Sequence, residues 1–270
     1  MYAFSYHRAQ SIPDAAERLR AQSGARALAG GQSLIASMKL RLSDPAELVD
    51  LGSIASLSGI EIKPRSVVIG AMTRHAEVAA SQPLQGALPS LAALAGGIGD
   101  RMVRNMGTMG GSVANNDPAA DYPSAVLALQ ATVITQSRSI PADDFFLGMF
   151  ETALQAGELI TAIEFRIPRR AAYVKYRNPA SRYAIVGVYV ADFGDAVRVA
   201  VTGAGPVVFR MKDMEQALAA RFSADSIANI RLSPDGLNAD IHASAEYRAD
   251  MVSVMAARAI ERVIQEPAKW

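Results

Sequence analysis

The chain has 270 residues, of which 50% are hydrophobic, 20% charged and 6% aromatic, and its formal net charge is +1. Such a composition predicts a soluble globular protein of two or three subdomains, and the dispersed Lys and Arg argue against nucleic acid as a ligand. There is no cysteine, which excludes disulfides, thiolate nucleophiles and iron–sulfur clusters held by this chain. The sequence shows no secretion signal and no membrane span, and we expect a cytoplasmic protein.

The first half of the chain predicts alternating helices and strands. SIPDAAERLR predicts a helix capped by Ser11, ARALA a short buried strand, SLIASMKLRL a helix and AELVDL a strand. GIEIKPRSVVIGA predicts a hairpin, and HAEVAAS and PSLAALAGGIG predict helices. By contrast, RNMGTMGGSVANNDPAADYP is too rich in Gly and Asn to predict regular structure. SAVLALQATVITQS predicts a helix followed by a strand, and GELITAIEFRIP alternates as a strand does.

The sequence pattern changes near Arg170. AYVKYR, AIVGVYVADF and VRVAVTGAG predict three strands, the last two joined as a hairpin over GDA. MEQALAARF and AEYRADMVSVMAARAIERVIQ then predict two helices. We therefore divide the chain into an N-terminal α/β subdomain (1–54), a second subdomain (55–170) and a C-terminal α+β domain (171–270).

Two glycine pairs, in AGGQSL and in GTMGGSVANNDPAAD, carry the functional signal. Glycine accepts positive φ and has no Cβ, so that successive N–H groups can approach a diphosphate closely. Neither stretch matches the Rossmann or the P-loop pattern. AGGQSL alone is equally compatible with a plain tight turn, but two such loops with nearby hydroxyls and amides indicate one long ligand, a dinucleotide. On this view, Val at Gly31 or Gly110 would enter the diphosphate space.

These motifs resemble the FAD-binding, or medium, subunits of the molybdenum hydroxylase family, the medium chains of xanthine dehydrogenase and carbon monoxide dehydrogenase. The resemblance lies in AGGQSLIASMKLRL and VRNMGTMGGSVANNDPAADYPSAVLAL and extends to FSYHRAQSIPDA, VVIGAMTRHAEV and the last predicted helix. It implies an α+β protein with a two-subdomain FAD-binding fold of the vanillyl-alcohol oxidase (PCMH) type. A small α+β domain with a three-stranded antiparallel sheet would follow.

The resemblance also assigns site residues for non-covalent FAD. Residues 29–33 and 108–112 would surround the diphosphate with backbone N–H groups. Asp121 matches a carboxylate that hydrogen-bonds the cofactor, and Ile98 matches a side chain beside the isoalloxazine. Ile160 and Lys175 match further flavin contacts, and Tyr183 matches a tyrosine near the exposed flavin face. The complete set of expected cofactor-binding residues is Ala29, Gly30, Gly31, Gln32, Ser33, Leu34, Ile98, Thr108, Met109, Gly110, Gly111, Ser112, Asn115, Asp117, Asp121, Ile160, Lys175 and Tyr183.

The resemblance further implies partner chains. A large subunit with a molybdopterin-type molybdenum cofactor would oxidise the substrate, and a small subunit with two [2Fe-2S] clusters would pass electrons on. FAD on this chain would deliver them to a terminal acceptor, in a heterotrimer or its dimer. The alternatives are a free-standing FAD-dependent oxidase or dehydrogenase of a small alcohol, and a non-catalytic nucleotide-binding or scaffold protein. The substrate stays open, and so does the acceptor, which could be NAD, oxygen, a quinone or a cytochrome.

The remaining candidate residues give weaker signals. His7, His75 and His242 are far apart in the sequence and have no metal-ligand spacing, so that we expect no metal site. No histidine lies in either glycine loop, which fits non-covalent FAD. Arg101 and Arg104 precede the second loop and could face the phosphates, a partner subunit or solvent.

Overall fold

The structure, a computed structural model, describes residues 1–265. Its N-terminal part is a parallel sheet with the strand order β1-β3-β2. Parallel strands need crossover connections, and two helices supply them. The first helix begins where the Ser11 hydroxyl accepts the N–H of Asp14, as the sequence predicts. The elements are β1 (Ser5–Arg8), α1 (Ile12–Ala21), β2 (Ala25–Leu28), α2 (Leu34–Lys39) and β3 (Glu47–Asp50).

The middle of the chain forms an antiparallel five-stranded sheet, ordered β4-β5-β10-β6-β7 and covered by helices. Val67, Ile69, Ile163 and Phe165 from its central strands are fully buried in the largest hydrophobic cluster of the described chain. The predicted hairpin over residues 60–70 is confirmed. The elements are β4 (Ile60–Ile62), β5 (Ser66–Gly70), α3 (His75–Ala80), α4 (Gln82–Ala87), α5 (Pro89–Gly96), α6 (Arg101–Met106), α7 (Met109–Asn115), α8 (Tyr122–Ala128), β6 (Thr132–Thr135), β7 (Ser139–Pro141), β8 (Phe146–Gly148), β9 (Glu151–Thr152) and β10 (Ile160–Arg166).

The stretch RNMGTMGGSVANNDPAADYP is largely helical, and the prediction that it lacks regular structure is wrong. Two N-caps outweigh its glycine content. The Asp100 carboxylate accepts the N–H of Val103 and starts α6, and the Thr108 hydroxyl accepts the N–H of Gly111 and starts α7. Asn116, at φ 44°, ends α7 in the left-handed conformation. The second glycine pair therefore lies in the first turn of a helix rather than in an open loop.

The C-terminal part contains a four-stranded antiparallel sheet, not the expected three-stranded one. The additional strand, β14, is a two-residue edge strand that pairs with β13, and so short a strand leaves no periodic pattern in the sequence. The predicted hairpin of the two preceding strands is confirmed. Residues 266–270 of the predicted C-terminal domain lie outside the described residues. The elements are β11 (Arg170–Arg177), β12 (Ala184–Asp192), β13 (Val197–Thr202), β14 (Phe209–Arg210), α9 (Lys212–Ala220) and α10 (Ala245–Gln265).

Strand β12 is buried on both faces. Val188 and Val190 pack in a cluster with α10, whereas Tyr189 and Ala191 on the opposite face join the large cluster of the middle sheet. Because side chains alternate along a strand, the neighbouring strand β11 also presents every second residue to the middle of the molecule. Within residues 1–265, no helix combines the length and hydropathy needed to cross a membrane.

Candidate functional site

The two glycine loops lie directly against each other. A Cβ built on Gly30 would lie 2.2 Å from the carbonyl oxygen of Met106 and 2.7 Å from Cα of Gly107. A Cβ built on Gly111 would lie 3.4 Å from Cβ of Ala29. Only a residue without a side chain fits at position 30, because real Cβ atoms do not approach backbone this closely. The structure thus joins both sequence motifs in one place.

The first loop presents free backbone donors. Gly31 has a φ of +71°, which turns the chain sharply before α2. The N–H groups of residues 30–33 donate to no acceptor within the described residues 1–265, and neither does the Ser33 hydroxyl. Gln32 and Ser33 are exposed. A run of successive unengaged N–H groups at a positive-φ turn is the arrangement that binds anions.

The first N–H groups of the second loop are engaged inside the chain. Met109 donates to the carbonyl of Thr73 at 3.0 Å, Gly110 to the carbonyl of Ala71 at 2.8 Å, and the next residue to the Thr108 hydroxyl. A Cβ on Gly110 would lie 2.5 Å from Cβ of Ala71. A side chain there would therefore strike Ala71, the residue that follows β5, and would not enter the diphosphate space, contrary to expectation. The start of α7 supports the first loop rather than supplying backbone donors.

Polar side chains on α7 remain available next to the loops. Ser112 and Asn115 are half-buried, and their side chains make no hydrogen bond within residues 1–265. Leu34, the first residue of α2, is also half-buried. The side chain of Met109, by contrast, is fully buried in the large hydrophobic cluster. The structure therefore assigns Met109 to packing.

A buried ion pair joins the C-terminal sheet to the middle of the molecule. Nζ of Lys175, on β11, lies 2.9 Å from Oδ1 of Asp121 and donates to the carbonyl of Gly97 at 3.0 Å. The phenol of Tyr173 donates to the same carboxylate at 2.5 Å. Burial raises the pKa of Asp121, and the Lys175 charge and the two hydrogen bonds oppose that rise. Burial and the Asp121 charge raise the pKa of Tyr173 well above its usual value, so that the phenol stays a donor.

Ile98 lies beside this ion pair, in the turn that follows α5. It is half-buried and packs against the large cluster. Nη1 of Arg104 donates to the carbonyls of Ile98 and Gly99, at 2.8 and 3.0 Å. Arg104 thus holds this turn, a role that the sequence did not suggest, whereas Arg101 is exposed.

Three further residues that were expected at the site are Ile160, Asp117 and Tyr183. The Ile160 side chain is buried in the large cluster at the start of β10. Asp117 and Tyr183 line a cleft of about 460 Å³ between the chain that follows α7 and the C-terminal sheet. The Asp117 carboxylate accepts the N–H of Ala119 at 2.8 Å, and Tyr183 is 45% exposed.

Two residues of the site were missed by the sequence reasoning. Tyr173 precedes Lys175 by two positions, and the alternation of a strand could have placed both on one face. His75 gave no signal. It is buried against Gly107 and Tyr122, and a Cβ on Gly107 would lie 2.6 Å from its Nε2. Burial, with a smaller effect of the Arg104 charge, lowers the pKa of His75 to about 4, so that the imidazole is neutral.

Comparison with known proteins gives a consistent assignment. Residues 2–170 match the family model described as the FAD binding domain in molybdopterin dehydrogenase. The chain is 33% identical to the glyceraldehyde dehydrogenase medium chain of Sulfolobus acidocaldarius, over 96% of this chain and 98% of that one. It is also 33% identical to the carbon monoxide dehydrogenase medium chain of Hydrogenophaga pseudoflava, over 95% and 96%. The fold matches reconstituted CO dehydrogenase from Oligotropha carboxidovorans with a TM-score of 0.89, at 34% identity and 97% coverage of both chains.

The fold, the paired glycine loops and these matches define the class of the protein as an FAD-binding subunit of an oxidoreductase. Within that class, the chain belongs to the family of FAD-binding domains of molybdopterin dehydrogenases. The family model ends at residue 170, while the similarity to whole medium chains continues through the C-terminal sheet.

Proposed function

We propose that this chain is the electron-transfer flavoprotein of a complex in which a large subunit carries a molybdopterin-type molybdenum cofactor and a small subunit carries two [2Fe-2S] clusters. Bound FAD supplies the redox chemistry, by taking electrons from the clusters and passing them to a terminal acceptor. The chain itself binds the cofactor, orients it and sets the charges around it. The absence of cysteine supports this division of labour, because thiolate-held clusters have to lie on another chain.

The observation that carries the proposal is the contact between the two glycine loops. It leaves the N–H groups of residues 30–33 unengaged within residues 1–265, next to the Ser33 hydroxyl. Several donors that converge without a Cβ in the way suit the oxygens of a diphosphate. The residues present therefore fit FAD at its diphosphate.

The proposed contacts fall into three groups. Residues 29–33, with Leu34, hold the diphosphate from one side, and α7 adds side-chain groups from the other. The Asp121–Lys175 pair and Ile98 lie at the isoalloxazine end, where the C-terminal sheet meets α5 and α8. We propose six further residues that contact FAD: Thr108, Ser112, Asn115, Asp117, Ile160 and Tyr183.

We also propose a PCMH-type architecture for the FAD-binding part, with domains at 1–54, 55–170 and 171–270. Each of these ranges contains one of the three larger sheets, which supports the division. The relatives named above are medium chains, which supports assembly with a larger and a smaller chain, as a heterotrimer or its dimer. A cysteine-free chain also suits a reducing cytoplasm.

Purification of the native complex tests the proposal. We expect a yellow preparation with one FAD per copy of this chain, one larger and one smaller partner, and molybdenum and iron in metal analysis. The isolated chain loaded with FAD should be inert toward small alcohols. Alcohol oxidation by the isolated chain would instead support a free-standing oxidase, and a colourless chain that does not bind FAD would support a scaffold. The similarity to medium chains of dehydrogenases, which covers 95% or more of both chains, disfavours these two alternatives.

A further inference from the structure

The Tyr173 phenol connects the C-terminal sheet to the Asp121 carboxylate. Its phenol donates to Oδ1 at 2.5 Å, the oxygen that also lies 2.9 Å from Nζ of Lys175. Asp121 is 4% exposed, so water does not replace a missing donor there. Lys175 in turn donates to the carbonyl of Gly97, the residue before Ile98. One chain of contacts thus runs from the phenol to the turn beside the proposed isoalloxazine position.

The strand register places Tyr173 for this contact. Tyr173 pairs with Tyr189 and Lys175 pairs with Gly187 across β11 and β12. The rings of Tyr173 and Tyr189 stack with centroids 6.0 Å apart, and the Tyr189 phenol bonds the Ser90 hydroxyl at 2.6 Å. A Cβ at position 187 would lie 2.4 Å from the phenol oxygen of Tyr173. A glycine at 187 therefore leaves the room that the Tyr173 phenol occupies.

We propose that Tyr173 is a positioning residue of the flavin site, whose phenol fixes the Asp121 carboxylate and thereby the Lys175 ammonium beside Ile98. This inference rests on the proposed function, because it assumes that FAD binds at this pair. Tyr173 acts through Asp121 and does not itself need to touch the cofactor. Within residues 1–265, the Asp121 carboxylate accepts hydrogen bonds from two side chains, the Tyr173 phenol and the Lys175 ammonium.

Loss of the phenol has a defined electrostatic consequence. A buried carboxylate with one donor fewer binds a proton more readily. Protonation of Asp121 would leave the Lys175 charge unbalanced, and a positive charge favours the electron-rich reduced flavin. Removal of the phenol should therefore raise the midpoint potential of the bound flavin and raise the dissociation constant for FAD.

The test uses the FAD-loaded complex with Tyr173→Phe, and Tyr189→Phe as the matched control. Both substitutions remove one phenol from a tyrosine on the same sheet face, but only the first removes a donor to Asp121. For Tyr173→Phe we expect a dissociation constant for FAD about tenfold higher and a midpoint potential higher by about 30 mV, which is a tenfold change in a two-electron equilibrium. Tyr189→Phe should leave the dissociation constant for FAD within about twofold of the parent and the midpoint potential within about 10 mV of it.

A double-mutant cycle with Asp121→Asn makes the test independent of any general loss of stability. If Tyr173 acts through Asp121, then Tyr173→Phe should change neither quantity further in the Asp121→Asn background. Fully additive effects, or equal effects of Tyr173→Phe and Tyr189→Phe, would overturn the inference. A parent chain that does not bind FAD would instead refute the proposed function, and so the two failures are distinguishable.

Discussion

The carbonyl oxygen of Met106 lies 2.2 Å from the point that a Cβ on Gly30 would occupy. A glycine at position 30 is therefore required by the chain around Met106 and Gly107 as much as by any ligand. Within residues 1–265, the N–H groups of residues 30–33 donate to no acceptor, whereas the first two N–H groups of α7 donate to the carbonyls of Thr73 and Ala71. We propose that the first loop binds the diphosphate and that the start of α7 supports this loop.

Gly30→Ala should separate the two loops. The added Cβ meets backbone and not a flexible side chain, and relief of such overpacking costs about 1–3 kcal/mol. Because the donors of residues 30–33 move with the loop, we expect the dissociation constant for FAD to rise at least about tenfold. Flavin fluorescence titration measures it. The control is Gly148→Ala, at the end of β8, where the added Cβ would meet the flexible Glu151 carboxylate, and this variant should bind FAD like the parent. Equal FAD affinity of Gly30→Ala and the parent would refute the loop contact.

Gly110→Ala should destabilise the fold even when no FAD is present. Alanine normally stabilises a helix by about 1 kcal/mol relative to glycine, but here its Cβ would lie 2.5 Å from that of Ala71. We expect a net loss of about 1–3 kcal/mol in the free energy of unfolding, measured by urea denaturation of the FAD-free chain. Gly86→Ala is the helical control, because a Cβ there meets no atom within 4 Å, and it should be neutral or stabilising. A Gly110→Ala chain as stable as Gly86→Ala would count against the packing role.

His75 should make the fold sensitive to acid. Its pKa is about 4 in the folded chain, below its ordinary value of 6.5, so that the unfolded chain binds more protons between these pH values. The corresponding stability is fully present above about pH 6.5 and is lost as the pH falls toward 4, by about 3 kcal/mol in total. Urea midpoints at pH 7 and pH 4.5 measure this loss. His75→Gln should lose less stability than the parent over this range, and the exposed His242→Gln should lose the same amount. Identical acid sensitivity of all three chains would contradict the assignment.

Arg248 should hold α10 to the C-terminal sheet. It is 3% exposed, and its guanidinium donates to the carbonyls of Ile185 and Gly203 and to the Asp240 carboxylate. Arg248→Ala leaves two buried carbonyls without this donor, and we expect a loss of about 3 kcal/mol in the free energy of unfolding. The exposed Arg258→Ala, on the same helix, should lose less than about 0.5 kcal/mol. Similar losses in both variants would show that the buried contacts carry no stability.

The sequence alone predicts the helices and strands that have strong hydrophobic periodicity. It also predicts that the two glycine motifs lie at one site. Ser11 marks a helix start and the hairpin over residues 60–70 forms as its pattern predicts. The helix that contains Gly110 was not predicted, because its glycine content argues against a helix. The Thr108 N-cap and the burial of Met109 outweigh that effect. Propensity is a local property, whereas packing against β5 is a tertiary one.

Individual site residues could be predicted only where they belong to a glycine motif or match a residue of the similar family. Lys175 and Asp121 were named separately, and the structure brings them to 2.9 Å of each other. Tyr173 was not named, since its role depends on the register of β11 against β12, which a single sequence does not specify. The lowered pKa of His75 likewise follows from the burial of its side chain, which no local sequence pattern predicts.

Above all, we propose that the main chain of residues 30–33 binds the diphosphate of FAD. A crystal structure of the chain with FAD tests it most directly. We predict that diphosphate oxygens lie about 3 Å from the backbone nitrogens of this loop, with the isoalloxazine toward Ile98 and Lys175. A diphosphate bound elsewhere, with these four N–H groups left free of it, would contradict the account.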